Sequence, residues 1–197
     1  MNTIKKYKIF LTVLLVIFVA AFWFLINDKG REMLKNGEEV DNYPFVNPEL
    51  KARYTDSDLG FSVDYPEGFA VNTTVEENIK VLVFSKTDSQ ESFQIFIMPY
   101  DEPGPIKPER ILIDQPKMII KDPQTVKIGG LPAGQLRQSE SEASEAGEEA
   151  LVFFSTDPDI GDVREVWFVH AGQLYQASTY AKYDELLAKV MATFRFK

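Results

Sequence analysis

Val163-Arg164-Glu165-Val166-Trp167-Phe168-Val169, the tight turn His170-Ala171-Gly172, and Gln173-Leu174-Tyr175-Gln176-Ala177-Ser178-Thr179 form one stretch whose reading decides the fold. β-Branched and aromatic residues on both sides of a short Gly-containing turn predict an antiparallel hairpin. Immediately after it, Tyr183, Leu186, Leu187, Val190, Met191 and Phe194 recur at helical spacing, which predicts an amphipathic helix with one apolar stripe. Asp184 and Glu185 near its start and Arg195 and Lys197 at its end match the helix dipole. A stripe of that kind has to be buried on a sheet face, so the class is α+β with an antiparallel β-sheet and helices packed on its faces.

Upstream, the pattern is mostly period two from Lys51 onward. Arg53-Tyr54-Thr55 and Gly60–Pro66 flank an Asp-Ser-Asp-Leu-Gly turn as a hairpin, with Phe61, Val63 and Tyr65 inward. A strand follows at 69–73, and Ile79–Lys86 with Ser92–Met98 form a second hairpin. After the proline-rich loop Pro99–Pro108, Pro108 and Glu109 open a short helix through Ile113. Gln124–Ile128 and Pro132–Ser139 read as a strand pair around Gly129-Gly130, and the acidic run Ser139–Glu149 as a solvated loop before the strand Ala150–Thr156.

Towards the N-terminus, Ile9–Ile26 runs eighteen residues without a charge. At a rise of about 1.5 Å per residue it reaches roughly 27 Å, close to the thickness of a hydrocarbon core. Fourteen of these residues are Leu, Ile, Phe or Val, which favours insertion by on the order of 4–8 kcal/mol. Lys5, Lys6 and Lys8 precede the run, while Asp28, Lys29, Arg31 and Glu32 follow it. The positive-inside bias makes residues 1–8 a cytoplasmic N-terminus, 9–26 a transmembrane helix, 27–50 a Gly- and Pro-interrupted linker, and 51–197 an extracytoplasmic domain of a single-pass cell-membrane protein. A cleaved signal peptide is the alternative, since Val19-Ala20-Ala21 has the small residues of a cleavage site. Against it, Phe22–Ile26 continues the apolar run past that point.

Removing the three lysines that precede the span from a net charge of −9 leaves −12 on the rest of the chain. That field opposes nucleic acid and favours cations, basic partners or simple solvation. With no cysteine, neither disulfides nor thiolate metal sites arise.

The opening Gly60–Phe69, the turn Ile128-Gly129-Gly130-Leu131-Pro132-Ala133 and the ending Val166–Tyr175 followed by a final helix together resemble the bacterial branch of the PsbP-like family, which shares its fold with Mog1. The resemblance covers about residues 53–197. It implies an antiparallel sheet with helices on its faces and an accessory or assembly role rather than a shared catalytic site. No photosystem role and no metal ligand is carried over.

His170 is the only histidine and stands at a hairpin tip, where nothing marks the orienting third group that a catalytic base needs. Asp157, Asp159 and Asp162 crowd a loop with Pro158 and Gly161, a composition that supplies Ca²⁺ ligands or an ordinary turn. Asp56-Ser57-Asp58-Leu59-Gly60 is set aside as a calcium loop, because Phe61 stands where the sharp-turn glycine belongs. The expectation is a membrane-anchored binding or assembly module without catalytic activity or cofactor, its partners being the membrane and envelope proteins. A small-ligand or Ca²⁺ binder and an envelope hydrolase using paired carboxylates are the alternatives.

Overall fold

The computed structural model describes residues 48–87, 89–129, 147–157 and 161–197. The expected membrane span at 9–26, most of the linker and the expected strand at 132–139 lie outside them. Among the described residues no helix is long and apolar enough to cross a membrane.

In chain order the elements are β1 (Leu50–Asp56), β2 (Phe61–Pro66), β3 (Phe69–Glu76), β4 (Ile79–Lys86), β5 (Ser92–Pro99), α1 (Pro108–Asp114), β6 (Ile119–Ile128), β7 (Glu148–Asp157), β8 (Gly161–His170), β9 (Gln173–Tyr180), a 3₁₀ turn (Ala181–Tyr183), α2 (Asp184–Met191) and β10 (Arg195–Phe196). Seven strands form an antiparallel sheet in the order β3-β4-β5-β9-β8-β7-β6, and β1-β2-β10 form a second, three-stranded sheet.

One row of side chains shows how the large sheet is used. Val75, Lys80, Ile97, Tyr175, Phe168, Ala150 and Val126 are successive cross-strand partners from one edge to the other. Its centre is buried, whereas Val75 is 61% and Val126 39% exposed at the ends. The small sheet and α2 cover the middle of this face and leave both edges protruding. Phe61 of β2 stands edge-on to Tyr175 at 5.7 Å and stacks on Phe194 at 4.9 Å, while Tyr54 of β1 meets Phe84 at 5.9 Å. Phe84–Phe93 and Phe168–Tyr175 stack across neighbouring strands at 4.4 and 4.8 Å. Such ring pairs contribute about 0.5–1.5 kcal/mol each beyond the area they bury.

Three expectations are corrected by this arrangement. The β1–β2 hairpin lies on the main sheet rather than within it, because Phe61 and Val63 on one face of β2 need a surface to bury them, and both reach full burial there. Gln124–Ile128 pairs with β7, so Glu148 and Glu149 belong to a strand and not to the acidic loop. The apolar run Ala150–Phe153 thereby gains a neighbour on its outer side. Finally, the last helix ends at Met191 rather than reaching Phe194. The Thr193 hydroxyl donates to the Val190 carbonyl at 2.7 Å, and Phe194 N–H closes a tight turn on Met191 at 3.2 Å. That turn swings Phe194 fully into the core and aims β10 at β2, where Lys197 N–H donates to the Gly60 carbonyl at 2.8 Å.

Candidate functional site

Four segments meet around the only histidine. The β8–β9 turn places Ala171 at φ 47° and Gly172 at φ 73°, the positive angles of the hairpin turn that matches strand twist. His170 is therefore the last residue of β8, opposite Gln173. Its ring stacks on Phe196 of β10 with centroids 3.6 Å apart and planes 16° apart. Nδ1 is 2.8 Å from Oε1 of Glu148 at the start of β7, so Glu148 accepts the Nδ1–H bond. Gly129, at the end of β6, lies under Phe196: a Cβ there would come within 2.5 Å of the ring.

Beside this group a polar cleft of about 280 Å³ is lined by Gly104, Pro105, Lys127, Glu148, Glu149 and Val169. The proline-rich loop is tied near its start to the β8–β9 turn and to α1. Tyr100 N–H donates to the Gly172 carbonyl at 2.9 Å, and Arg110 of α1 grips Glu102 through two nitrogens at 2.6 and 2.7 Å and also donates to Asp114. The Arg110 hydrogen bond holds the Glu102 carboxyl below its ordinary range, outweighing a partial desolvation.

Chemically, the carboxylate fixes the imidazole tautomer that leaves Nε2 as acceptor. Among the described residues no Ser, Thr or Tyr hydroxyl hydrogen-bonds to His170, so the orienting half of a triad stands without a nucleophile. What the geometry does is lock the C-terminal strand: Phe196 is held between the His170 ring and the space that Gly129 leaves free.

The expected cation loop is only partly in view. Asp157 ends β7 with its backbone opposite Gly161, Asp162 begins β8 opposite Thr156, and Asp159 lies outside the described residues. Asp162 Oδ1 accepts from Thr156 Oγ1 at 2.6 Å and stands 3.5 Å from Lys121 Nζ, and these bonds lower its pKa. A cation there would compete with Lys121. No group of acidic or histidine side chains among the described residues is arranged to hold a metal ion.

Asp56 has a structural task. Its Oδ1 accepts the Asp58 and Leu59 N–H groups at 3.2 and 3.1 Å, while Oδ2 accepts Lys80 Nζ at 2.6 Å and the Tyr54 hydroxyl at 3.2 Å. Burial pushes this carboxyl up, but Lys80, the Leu59 N–H and Tyr54 together outweigh it and leave the pKa lowered. The one carboxylate folds the β1–β2 turn and ties the small sheet to β4 of the large one.

The comparisons with known proteins give a structural likeness and no family. No protein-family model matches, and no curated protein matches. Among solved structures the chain is similar to the solution structure of cyanobacterial PsbP (CyanoP) from Synechocystis sp. PCC 6803, with a TM-score of 0.48 and 12% identity over 80% of this chain and 99% of that one. A likeness of this size carries no argument about fold or function.

The functional grouping was missed in sequence because Glu148 reads as part of an acidic run. The signal that would have found it is register: counting back from the Asp157–Gly161 pair along the β7–β8 hairpin brings residue 148 opposite residue 170.

Proposed function

We propose that this chain is a membrane-anchored, extracytoplasmic binding or assembly module without catalytic activity, its domain presented to envelope proteins by the helix at 9–26. The observation that carries the binding role is where apolar surface is left open. Of the large apolar side chains most exposed among the described residues, Leu112, Ile113, Ile119 and Val126 fall on α1 and β6, with exposures of 40, 59, 55 and 39%. Scattered apolar residues need no explanation, but a concentration within fifteen residues of chain supports a contact surface.

The test is a photocrosslinking residue at Ile113 in the full-length protein in cells, with Lys182 as a control position. A discrete adduct at Ile113 and none at Lys182 supports the reading. Turnover of an ester, glycoside or peptide panel by the purified protein, abolished by His170→Ala or Glu149→Gln, would overturn it.

A further inference from the structure

We propose that the edge of β3 that pairs with no described strand takes up an extended peptide as an added strand, and that the peptide it fits has a β-branched, uncharged centre with Lys or Arg at both ends. This rests on the reading of the chain as a binding module but uses a surface separate from α1 and β6.

The inference begins with the backbone. β3 pairs with β4 at eight consecutive positions, from Phe69↔Lys86 to Glu76↔Ile79, without a register shift, and with no other described strand. Among the described residues its other side is therefore an unpaired run of backbone donors and acceptors about 27 Å long at the usual strand rise. Free edges invite strand pairing, and proteins guard them with proline, bulges and charged side chains.

The other long edges here carry such guards. β6 has Pro123, a register shift between Lys121 and Gln124 with Asp122 at φ 49°, and Lys121 and Lys127. β1 has a register shift between Leu50 and Ala52 and carries Lys51 and Arg53. β3, Phe-Ala-Val-Asn-Thr-Thr-Val-Glu, has no proline, no bulge and no basic residue. The bare edge is the one built for strand addition.

Charge selects the occupant. Glu67 stands before β3, and Glu76 and Glu77 close its far end. None of the three forms an ion pair or side-chain hydrogen bond with a described residue. The nearby lysines are engaged elsewhere: Lys80 on Asp56 at 2.6 Å and Lys86 beside Glu91 at 3.4 Å. Carboxylates thus flank an uncharged strand at both ends. A second copy of the chain, pairing antiparallel through β3, would set Glu67 against Glu76 and Glu77 of its neighbour twice, and like charges so placed repel. A strand with a cation at each end turns the same pattern into attraction.

The experiment uses the full-length protein in a non-ionic detergent and a fluorescent synthetic peptide with a Val-Thr-Val-Thr-Val-Thr-Val centre and two lysines at each end. Binding is read by anisotropy, and its place by hydrogen exchange. The expected result is that the alternate amides of residues 69–76 that face away from β4 exchange about tenfold more slowly on saturation while residues 119–128 are unchanged, as pairing of an open edge requires. Methylating alternate amides of the peptide, or introducing Asn72→Lys with Val75→Lys, should weaken binding by about tenfold or more with the melting temperature kept.

Equal binding of the methylated peptide would reduce the effect to charge alone and overturn the proposal. So would protection at β6, or outward-facing β3 amides already protected in a peptide-free dimer, which would make a second copy the occupant. The two readings fail separately: loss of the Ile113 adduct removes the assembly surface on α1 and β6, while unchanged β3 exchange removes the added strand.

Discussion

Asp56 shows how much a single carboxylate can organise when it is buried and fully hydrogen-bonded. Replacing it by Asn keeps the shape but leaves Lys80 without its counter-charge, and losing one member of such a pair costs about 3 kcal/mol. Because the folded-state pKa lies below the ordinary value of 3.8, the carboxylate stabilises the fold above the ordinary aspartate range. That contribution is lost as pH falls through the lowered folded value. Urea melts of the wild type from pH 7 down to 2 should contain this acid-dependent loss, and Asp56→Asn should lack that part while starting lower at neutral pH. Gly129 offers a second test at this scale. Its φ of +83° and the Phe196 ring 2.5 Å from any added Cβ lead to a cost of about 1–3 kcal/mol for Gly129→Ala. The same substitution should unseat Phe196 from His170, seen as a shift of the His170 ring proton signals.

At the scale of elements, what the sequence reveals is what depends on neighbours in the chain. The hairpins around residues 89 and 171 were legible because turn residues interrupt period-two runs, and α1 because Pro108 and Glu109 open it, whereas the pairing of β3 with β4 was not read. β6 was only half legible. Its first half, Ile119–Pro123, contains a proline and a positive-φ aspartate, signals that read as a break, whereas the structure uses them as a bulge on an edge strand. The β1–β2 hairpin was legible as a hairpin but not as a second sheet, since nothing local says whether a strand pair extends a sheet or lies on it. The edge reading leads to a prediction of its own. Converting the guards of β6 with Pro123→Thr and Lys127→Thr should alter stability by no more than about 1 kcal/mol, because both sites are exposed. Self-association should nevertheless rise, measured as concentration-dependent light scattering, because an unguarded edge recruits its like.

For the whole molecule, the site around His170 was hidden in the sequence because it joins β6, β7, β8 and β10, segments up to 67 residues apart counted from Gly129 to Phe196. The anchor proposed above, in contrast, is read from eighteen consecutive uncharged residues alone and draws on no tertiary context. Its orientation rests on Lys5, Lys6 and Lys8, each of which disfavours transfer across the bilayer. A phosphatase reporter fused after Lys197 and active only outside the cytoplasm should therefore be active in the wild type. Changing all three lysines to Glu removes the positive flank and leaves Lys29 and Arg31 as the basic residues closest to the span. Reporter activity should then fall several-fold, with the same amount of protein in the membrane fraction. Undiminished activity with those three lysines gone would show that the acidic domain, with −12 on the chain beyond the span, crosses regardless of the flank, since long segments translocate largely independently of their charge. Loss of the protein from the membrane fraction in the wild type would instead point to cleavage near Val19-Ala20-Ala21 and an exported domain without a tether.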